Sequence, residues 1–253
     1  MIPLRLPPLK FHPASKKFSQ NYLKDPLLLK KIVEAGEVKE GDHVLEVGPG
    51  PGALTRALLE YNTHVTAVEL DRRFIADLVE WDHPRLTIIE GNILSVPLPL
   101  VTRCVANIPY QITTPLIEKL LPLQIPVTLT IQKEVALRIV APVGSKEYSP
   151  LSLFCQYLAT PKLVFEIKRH LFTPAPHVDS AVLHLAPSFR TPPPLLFETI
   201  RKAFQGRRKM VRHFFSKEAL ELAEIESTSR PQMLSWHAYE KLAKALVMLE
   251  ELS

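Results

Sequence analysis

The sequence predicts an α/β fold with two parts: a mixed, mostly parallel β-sheet flanked by helices, and a small all-helical domain after it. Two observations lead to this prediction. From residue 42 onward, short runs rich in β-branched residues alternate with stretches of helical periodicity, which is typical of a parallel sheet. Beyond the proline-rich segment 186–194, only helical periodicity remains.

Each strand of the sheet is predicted from a short run of β-forming residues. The runs expected in the parallel part are 43–47 (HVLEV), 64–70 (HVTAVEL), 86–90 (LTIIE), 103–107 (RCVAN) and 127–132 (VTLTIQ). Helix-like segments follow the first two and the last two of these runs. Two later runs, 163–172 and 178–187, are close in sequence and are predicted to form an antiparallel edge of the same sheet.

The segment 186–194 (APSFRTPPP) marks the predicted domain boundary. It contains four prolines in nine residues, which neither a helix nor a central strand tolerates. The sequence therefore predicts an α/β domain over residues 1–188 and a helical domain over residues 195–253.

Composition indicates a folded protein with a sizeable core, because 46% of the 253 residues are hydrophobic. No run approaches the roughly 18 apolar residues of a membrane span, and the proline-rich start does not resemble a secretory signal. We therefore expect a cytoplasmic protein without a membrane partner. Cys104 and Cys155 fit neither a disulfide framework nor a metal-ligand cluster, so we expect two buried, reduced thiols and no metal.

Positive charge is concentrated in one stretch. Residues 201–217, here called the basic segment, contain seven Lys or Arg and no acid, and a smaller pair, Lys16 and Lys17, precedes FSQNYL. Such runs favour a polyanionic partner, although a solvated surface is the simpler explanation. If the basic segment is one helix, Arg201, Arg208 and Arg212 fall on one side of it.

On such a helix, Lys202 and Lys209 flank the basic side, whereas Arg207 falls among the apolar positions. Arg207 must then extend outward along its aliphatic stem, pair with an acid, or belong to a turn at Gly206. The apolar side, expected to be buried, consists of Ala203, Phe204, Met210, Val211, Phe214 and Phe215.

A glycine-rich turn follows the first predicted strand, in VLEVGPGPGALTRAL (44–58). Glycines let the backbone approach a ligand, and the helix start beyond them offers free N–H groups. Glu69, about 20 residues further on at the end of the next strand, can accept hydrogen bonds from both hydroxyls of a ribose. These features indicate an adenosine cofactor, although Glu69 in a purely structural role is the alternative.

Two further features concern the cofactor. Pro49 and Pro51 lack the N–H groups that a pyrophosphate would use, which disfavours NAD. Asn92 follows the third strand, where an amide can both accept from and donate to an adenine ring. A turn-forming Gly-Asn pair explains Asn92 equally well.

The segment Asn107-Ile108-Pro109-Tyr110 follows the fourth strand, beside the expected ligand crevice. The Asn107 side-chain oxygen and a main-chain carbonyl fixed by Pro109 can accept both hydrogens of an adenine amine, which would free its lone pair for attack on a methyl group. The Tyr110 ring can stack on a base taken out of its helix. A strand end with a turn and a buried Tyr is the alternative.

Several motifs together make the chain resemble a known family. They are KKFSQNYL, EVGPGPGALT, AVELD, NIPYQITTPL, IQKEVALRIV, FTPAPHVDSAVL and AFQGRRKMVRHFF, which occur in the order and approximate spacing of the rRNA adenine N6-methyltransferases. The resemblance covers residues 16 to about 245. It is strongest to the bacterial members that dimethylate two adjacent adenosines near the 3′ end of small-subunit rRNA.

The resemblance implies a Rossmann-like, S-adenosylmethionine-dependent methyltransferase domain and a helical RNA-binding domain. The cofactor contacts it implies are Asn21, Leu23, Gly48, Glu69, Asn92 and Asn107. The resemblance also implies Asn107 at the methyl-transfer site, where the reasoning from the residues places Pro109 and Tyr110 as well. The implied partner is small-subunit rRNA within a pre-ribosomal 30S particle, bound by a monomer. The candidate RNA-binding residues are Arg201, Arg207, Arg208, Lys209 and Arg212.

The chain departs from the family in three places. Asn92 stands where Asp is usual, and residues 148–152 read Tyr-Ser-Pro-Leu-Ser where Tyr-Gly-Arg-Leu-Ser is usual. The second departure removes an Arg that could contact RNA. The third is the unusually proline-rich linker before the helical domain.

Other functions remain open on the sequence alone. The large-subunit rRNA dimethyltransferases of the macrolide-resistance type and the mitochondrial transcription-factor relatives share the FSQN-like, glycine-turn and N-I-P-Y segments, whereas the run AFQGRRKMVRHFF favours the small-subunit enzymes. A non-catalytic ribosome-assembly factor with an inherited methyltransferase fold is a further alternative.

Overall fold

The computed structural model describes residues 6–13 and 20–251. Lys16 and Lys17 and the first two residues of FSQNYL lie outside the described residues. The chain divides into two compact units. The first unit is Met1–Ala136 with Lys162–Ala186, and the second unit is Leu137–Pro161 with Pro187–Ser253.

The main sheet is mixed and mostly parallel, as predicted. The strands of the chain are β1 (Tyr22–Leu23), β2 (His43–Val47), β3 (His64–Glu69), β4 (Leu86–Glu90), β5 (Arg103–Asn107), β6 (Val127–Gln132), β7 (Ala159–Ile167), β8 (Phe172–Thr173) and β9 (Ser180–Pro187). Seven of them form one sheet in the order β4-β3-β2-β5-β6-β9-β7. The pairs from β4 to β6 are parallel, and β9 joins β6 antiparallel.

Helix α1 (Pro26–Ala35) precedes β2. Four further helices follow parallel strands where the sequence predicts them: α2 (Ala53–Leu59), α3 (Arg72–Val79), α4 (Thr113–Leu120) and α5 (Lys133–Ile139). Helix α1 begins where the Asp25 side chain accepts hydrogen bonds from the main-chain nitrogens of Leu27 and Leu28. In the core, Ile32 and Leu58 from these helices belong to one buried cluster with Val44 and Val105 of the sheet.

The predicted strand 163–172 is interrupted. The last residue of β7 is Ile167, a short turn follows, and only Phe172 and Thr173 return to a strand, which pairs with β1 instead of the main sheet. Asp179 accounts for the break, because its carboxylate accepts hydrogen bonds from the main-chain nitrogen of Arg169 at 3.0 Å and from Lys168 Nζ at 2.9 Å. These contacts take the chain out of the ladder.

The second unit is mainly helical. Its helices are α6 (Pro150–Leu158), α7 (Leu196–Phe204), α8 (Lys217–Leu222) and α9 (Trp236–Glu251). Residues 137–161 belong to this unit, whereas the sequence prediction had placed them in a domain ending at residue 188. The rings of Phe154 and Tyr157 in α6 contact Phe197 in α7, which explains why this segment clusters with the C-terminal helices.

Within the described ranges, no helix has both the length and the apolar character that a membrane crossing requires. No group of three or more His, Cys, Asp or Glu side chains among the same residues is arranged to hold a metal ion. Cys104 and Cys155 are both buried and free, as the sequence predicts.

Candidate active site and basic surface

A cleft opens in the first unit where the carboxyl ends of β2, β3 and β5 meet. Ligands bind at this edge in open α/β sheets, because the chain there turns away from the strands and leaves a crevice. The cleft holds about 740 Å³ of space, including the open solvent at its mouth. Of the predicted site residues, it brings together Asn21, Leu23, Gly48, Glu69, Asn107, Pro109 and Tyr110.

The glycine turn lies directly against the Asn107–Tyr110 segment. Gly48 has a φ of +67°, and a Cβ atom placed on it would lie 3.8 Å from Pro109 Cδ. The positive φ strains any residue with a side chain, which is why glycine is needed here. Gly50 also has a positive φ, +53°, and a Cβ atom placed on it would lie 3.6 Å from Tyr22 Cε1. Side chains at Gly48 and Gly50 would therefore occupy space in the cleft that the two glycines leave open.

The Glu69 carboxylate is held by three main-chain N–H groups. Its Oε2 accepts from Gly50 at 2.9 Å, and its Oε1 accepts from Leu70 and Asp71 at 2.8 Å each. Burial raises the pKa of Glu69 above its ordinary value, although these hydrogen bonds oppose the rise. The carboxylate is therefore fixed in the cleft, and Oε2 keeps acceptor capacity for a ligand hydroxyl.

The segment Asn107–Tyr110, which begins at the end of β5, forms another part of the cleft lining. The Asn107 side-chain nitrogen Nδ2 donates to the main-chain oxygen of Asn21 at 3.4 Å, which leaves Oδ1 of the same amide as an acceptor. Pro109 has a φ of −59°, as expected for proline, and a short helical turn begins at Tyr110. The Tyr110 hydroxyl hydrogen-bonds Ser180 Oγ at 2.6 Å.

Two chain segments close the cleft from outside the main sheet. The short strands β1 and β8 pair antiparallel, with Leu23 opposite Phe172. Just before β1, Gln20 Nε2 donates to Asp71 Oδ2 at 2.8 Å. The Arg73 guanidinium beside Asp71 holds the pKa of that carboxyl at about 2, so it stays ionised. Gln20 and Phe172 line the cleft, and the sequence analysis did not single out either residue.

Glu46 is a further cleft residue that the sequence analysis missed. Its side chain is almost fully buried in β2, and its Oε2 has no hydrogen-bond partner among the described residues. Burial, together with the negative charge of Glu69, raises the pKa of Glu46 to about 8. The one signal in the sequence is a carboxylate inside an otherwise apolar parallel strand, HVLEV.

Asn92 does not line the cleft. It is exposed at the end of β4, and its Oδ1 accepts a hydrogen bond from the main-chain nitrogen of Leu94 at 3.0 Å. This is the local side-chain turn that the Gly-Asn pair suggests. The side-chain nitrogen and the second lone pair of Oδ1 remain for a neighbouring ligand.

The polar character of the cleft selects the kind of cofactor that fits. Its described lining contains two carboxylates, Glu46 and Glu69, and no Lys or Arg. Pro49 and Pro51, which have no N–H group, are also part of the lining. Two carboxyl groups without a basic partner disfavour a pyrophosphate, whereas a nucleoside with a positively charged group favours the ionised form of both carboxyls. These residues fit S-adenosylmethionine, which is a sulfonium cation.

In the second unit, the basic segment is not one continuous helix. Helix α7 ends at Phe204, residues 205–208 form a turn, and a short helical turn covers Val211–His213. Gly206 lies in this turn, and the Phe214 ring comes so close that a Cβ on this residue would lie 2.5 Å from Phe214 Cζ. Of the three explanations for Arg207, the turn at Gly206 is the one that the structure contains.

The two sides of the basic segment are nevertheless as expected. Arg201, Lys202, Arg208, Lys209 and Arg212 are exposed. The apolar set is buried or half-buried throughout: Ala203, Phe204, Met210, Val211, Phe214 and Phe215. The turn therefore changes the path of the backbone without changing which side chains face solvent.

Arg207 differs from its basic neighbours because it is half-buried and bound to another loop. Its Nη2 donates to the main-chain oxygen of Ser145 at 3.1 Å and also to that of Lys146. These contacts fasten the loop that carries the exposed Lys146. The same loop leads into the family departure at 148–152. There, Ser149 and Ser152 form a capping box, and Pro150 occupies the first turn of α6.

Comparison with known proteins gives consistent matches. The model of the family "Ribosomal RNA adenine dimethylase" matches residues 11–250. A Ribosomal RNA small subunit methyltransferase A from Synechococcus sp. (strain WH7803) is 39% identical, covering 93% of this chain and 95% of the relative. Another with the same name, from Chlorobaculum parvum, is 42% identical over 78% of this chain and 75% of its own.

Solved structures agree with these matches. A dimethyladenosine transferase from Plasmodium falciparum superposes with a TM-score of 0.78 at 28% identity, covering 90% of this chain and 97% of its own. The 23S rRNA methyltransferase ErmE superposes with a TM-score of 0.67 at 25% identity, covering 90% of this chain and 100% of its own. Since the family match spans nearly the whole sequence and both curated relatives exceed a third identity, the chain belongs to the ribosomal RNA adenine dimethylase family.

Proposed function

We propose that this protein uses S-adenosylmethionine to dimethylate the exocyclic N6 of two adjacent adenosines near the 3′ end of small-subunit rRNA. One observation carries the reaction: a cleft with two carboxylates and no Lys or Arg in its described lining also contains Asn107 and Tyr110. The relatives named Ribosomal RNA small subunit methyltransferase A support the substrate. Its physiological form is a monomer acting on a pre-ribosomal 30S particle in the cytoplasm.

The bound cofactor supplies an electrophilic methyl carbon on a positively charged sulfur. Glu69 accepts hydrogen bonds from the ribose hydroxyls of this cofactor, since three N–H groups already hold its carboxylate in the cleft. Gly48 lets the backbone come close, and the segment of Asn21 and Leu23 forms another wall. Asn92 lies outside this lining and contributes from the neighbouring strand end, where its side-chain oxygen keeps a second lone pair for the adenine amine.

Asn107 prepares the adenine amine for attack. The lone pair of that amine is delocalised into the ring, and two acceptors on its hydrogens favour a tetrahedral nitrogen with a free lone pair. The Asn107 side-chain oxygen is one acceptor, and a main-chain carbonyl oriented by Pro109 is the other. Tyr110 offers its ring to the base. Positioning and fixed dipoles supply most of the rate acceleration.

The second unit provides the RNA contacts. Arg201, Arg208, Lys209 and Arg212 are exposed on one stretch and can reach phosphates. Arg207 contributes by holding the loop of Lys146, because its guanidinium is already bound to main-chain oxygens of that loop. These residues form a basic surface without the arginine that is usual in the family within residues 148–152.

Methylation of purified ribosomal subunits tests the proposed function. Small subunits from a strain that lacks the endogenous enzyme should accept methyl groups at two adjacent adenosines near the 3′ end, as mapped by reverse transcription and mass spectrometry. Supplying deproteinised rRNA in parallel tests whether the particle is required. Sedimentation of the purified protein tests whether it is a monomer.

A second function has support from one comparison. The similarity to the 23S rRNA methyltransferase ErmE makes the large subunit the alternative substrate. Giving large subunits to the enzyme in the same assay separates the two substrates. Cofactor binding without methylation of either subunit would instead indicate a non-catalytic assembly factor.

A further inference from the structure

We propose that Ser180 is a positioning residue that fixes the Tyr110 ring for the incoming adenine. This inference rests on the proposed function and adds a residue from a distant part of the chain. The Tyr110 hydroxyl and Ser180 Oγ are 2.6 Å apart, although the two residues are separated by 70 positions in sequence. Ser180 is completely buried and Tyr110 is half-buried, so the serine hydroxyl is shielded from water at this contact.

The Ser180 side of the contact is rigid. Ser180 begins β9 and pairs with Gln132 at the end of β6. One residue earlier, the main-chain oxygen of Asp179 accepts a hydrogen bond from the main-chain nitrogen of Lys133 at 3.0 Å. The Ser180 hydroxyl is thereby attached to the sheet itself and cannot follow a moving ring.

The Tyr110 side is tied at its backbone as well. Thr113 Oγ1 donates to the main-chain oxygen of Tyr110 at 2.9 Å, within the short turn that follows Pro109. Burial raises the pKa of the Tyr110 hydroxyl further above neutrality, so the hydroxyl is protonated and able to donate. The ring is thus held at both ends, by the turn at its Cα and by Ser180 at its hydroxyl.

Stacking on a base requires only a ring face, which phenylalanine would offer equally well. The hydroxyl adds a fixed orientation, and orientation determines whether the stacked base places its amine at Asn107. A contact that merely satisfies two buried hydroxyls would instead affect folding alone. Loss of the hydrogen bond should therefore lower the rate of methyl transfer if it orients the base, and only the stability of the protein if it does not.

The test is a double-mutant cycle with Tyr110→Phe and Ser180→Ala, since each change removes the same hydrogen bond. We expect each single variant to lower kcat/KM for small-subunit methylation by about 5- to 30-fold. The double variant should lower kcat/KM by no more than the more impaired of the two single variants. The Kd for S-adenosylmethionine should stay within about twofold of wild type in all three, because the cofactor contacts are elsewhere.

Ser188→Ala is the matched control, since its hydroxyl donates to the main-chain oxygen of Tyr157 and lies outside the cleft. It should methylate like wild type. If Ser180→Ala fails to fold, Tyr110→Phe alone decides, because it keeps the serine. Single variants within twofold of wild type, or losses that multiply in the double variant, would overturn the role of Ser180. An inactive wild type would contradict the proposed function instead.

Discussion

Glu69 Oε2 accepts a hydrogen bond from the main-chain nitrogen of Gly50 at 2.9 Å, across 19 residues of sequence. This contact joins the glycine turn after β2 to the carboxylate at the end of β3. Because of this hydrogen bond, a movement of the glycine turn also moves the Glu69 carboxylate, which is proposed to hold the ribose.

We predict that Glu69→Ala weakens S-adenosylmethionine binding by about 10- to 100-fold, because hydrogen bonds between a carboxylate and two hydroxyls are lost. Titration calorimetry measures the Kd. The change also leaves the main-chain N–H groups of Gly50, Leu70 and Asp71 without their acceptor, so thermal unfolding should be recorded for the same variant.

Glu90→Ala is a suitable control for Glu69. Glu90 lies beside Glu69 in the β3–β4 register, but it is exposed and pairs with Arg72. Its removal should leave the Kd unchanged. An unaltered Kd in Glu69→Ala as well would end the ribose assignment.

Asn107→Ala should abolish methyl transfer while cofactor affinity remains nearly normal. The amide oxygen is the acceptor that matters most when the adenine nitrogen becomes tetrahedral, so its loss should cost about 10²-fold or more in rate. Single-turnover kinetics on small subunits together with cofactor calorimetry separates the two effects. Near-normal turnover with an intact Kd would show that Asn107 does not act on the amine.

Asn92→Asp restores the residue that is usual in the family. A carboxylate can still accept the hydrogen bond from the main-chain nitrogen of Leu94, so the turn should survive. It also accepts from an adenine amine more strongly than an amide does. We therefore expect equal or tighter S-adenosylmethionine binding by calorimetry. Clearly weaker binding would mean that the side-chain nitrogen of Asn92, which the variant lacks, makes the contact.

The parallel part of the fold was predictable because each central strand is buried on both faces and therefore appears as an apolar run. Glu69 and Asn107 were predictable for the same reason, since polar residues at the ends of such runs meet at one edge of the sheet. Glu46 was missed because it lies inside a run. Phe172 was missed because β8 has only two residues and carries no periodicity.

The division between the two units depends on contacts that no local pattern encodes. Residues 137–161 cluster with the C-terminal helices because α6 places its aromatic side chains against Phe197. The turn after Phe204 likewise includes a contact between residues eight positions apart, because the Phe214 ring packs against Gly206. Helical periodicity continues through Gly206, so the sequence alone favours one helix where the packing requires a turn.

Glu46 should make the stability of the protein fall as pH rises. Its pKa in the folded protein is about 8, against an ordinary value of 4.5, so between these pH values the unfolded chain loses a proton that the folded chain keeps. The favourable contribution is complete below about pH 4.5 and is lost as pH approaches 8. Urea unfolding of wild type and Glu46→Gln should show the variant gaining relative stability across this window.

The exposed Glu60→Gln is the control for Glu46, and its difference from wild type should not vary with pH in this way. Glu46 also predicts an effect of cofactor binding on protons. A cation bound beside Glu46 favours its ionised form, so cofactor binding near pH 7 should release protons. Calorimetry in two buffers of different ionisation enthalpy measures that release, and equal heats in both buffers would contradict it.

The basic segment is expected to bind RNA through its exposed arginines. Arg208 and Arg212 are exposed, and each can neutralise a phosphate and release a bound counterion. Replacing both by Ala should weaken binding to the small subunit and reduce the log–log salt slope by about one unit per lost phosphate contact. Filter binding at several salt concentrations measures both quantities. The Kd for S-adenosylmethionine should not change, because the cleft belongs to the first unit.

Lys241→Ala with Lys244→Ala removes the same amount of charge from the same unit and serves as the matched control. These lysines pair with Glu224 and Glu240, so their charges are already compensated within the protein. Their loss should change the salt slope much less than the loss of the two arginines, for which no ion pair occurs among the described residues. Equal slopes for the arginine variant and wild type would show that the RNA binds to another surface. Equal reductions in both double variants would show that total charge, and not this segment, sets the affinity.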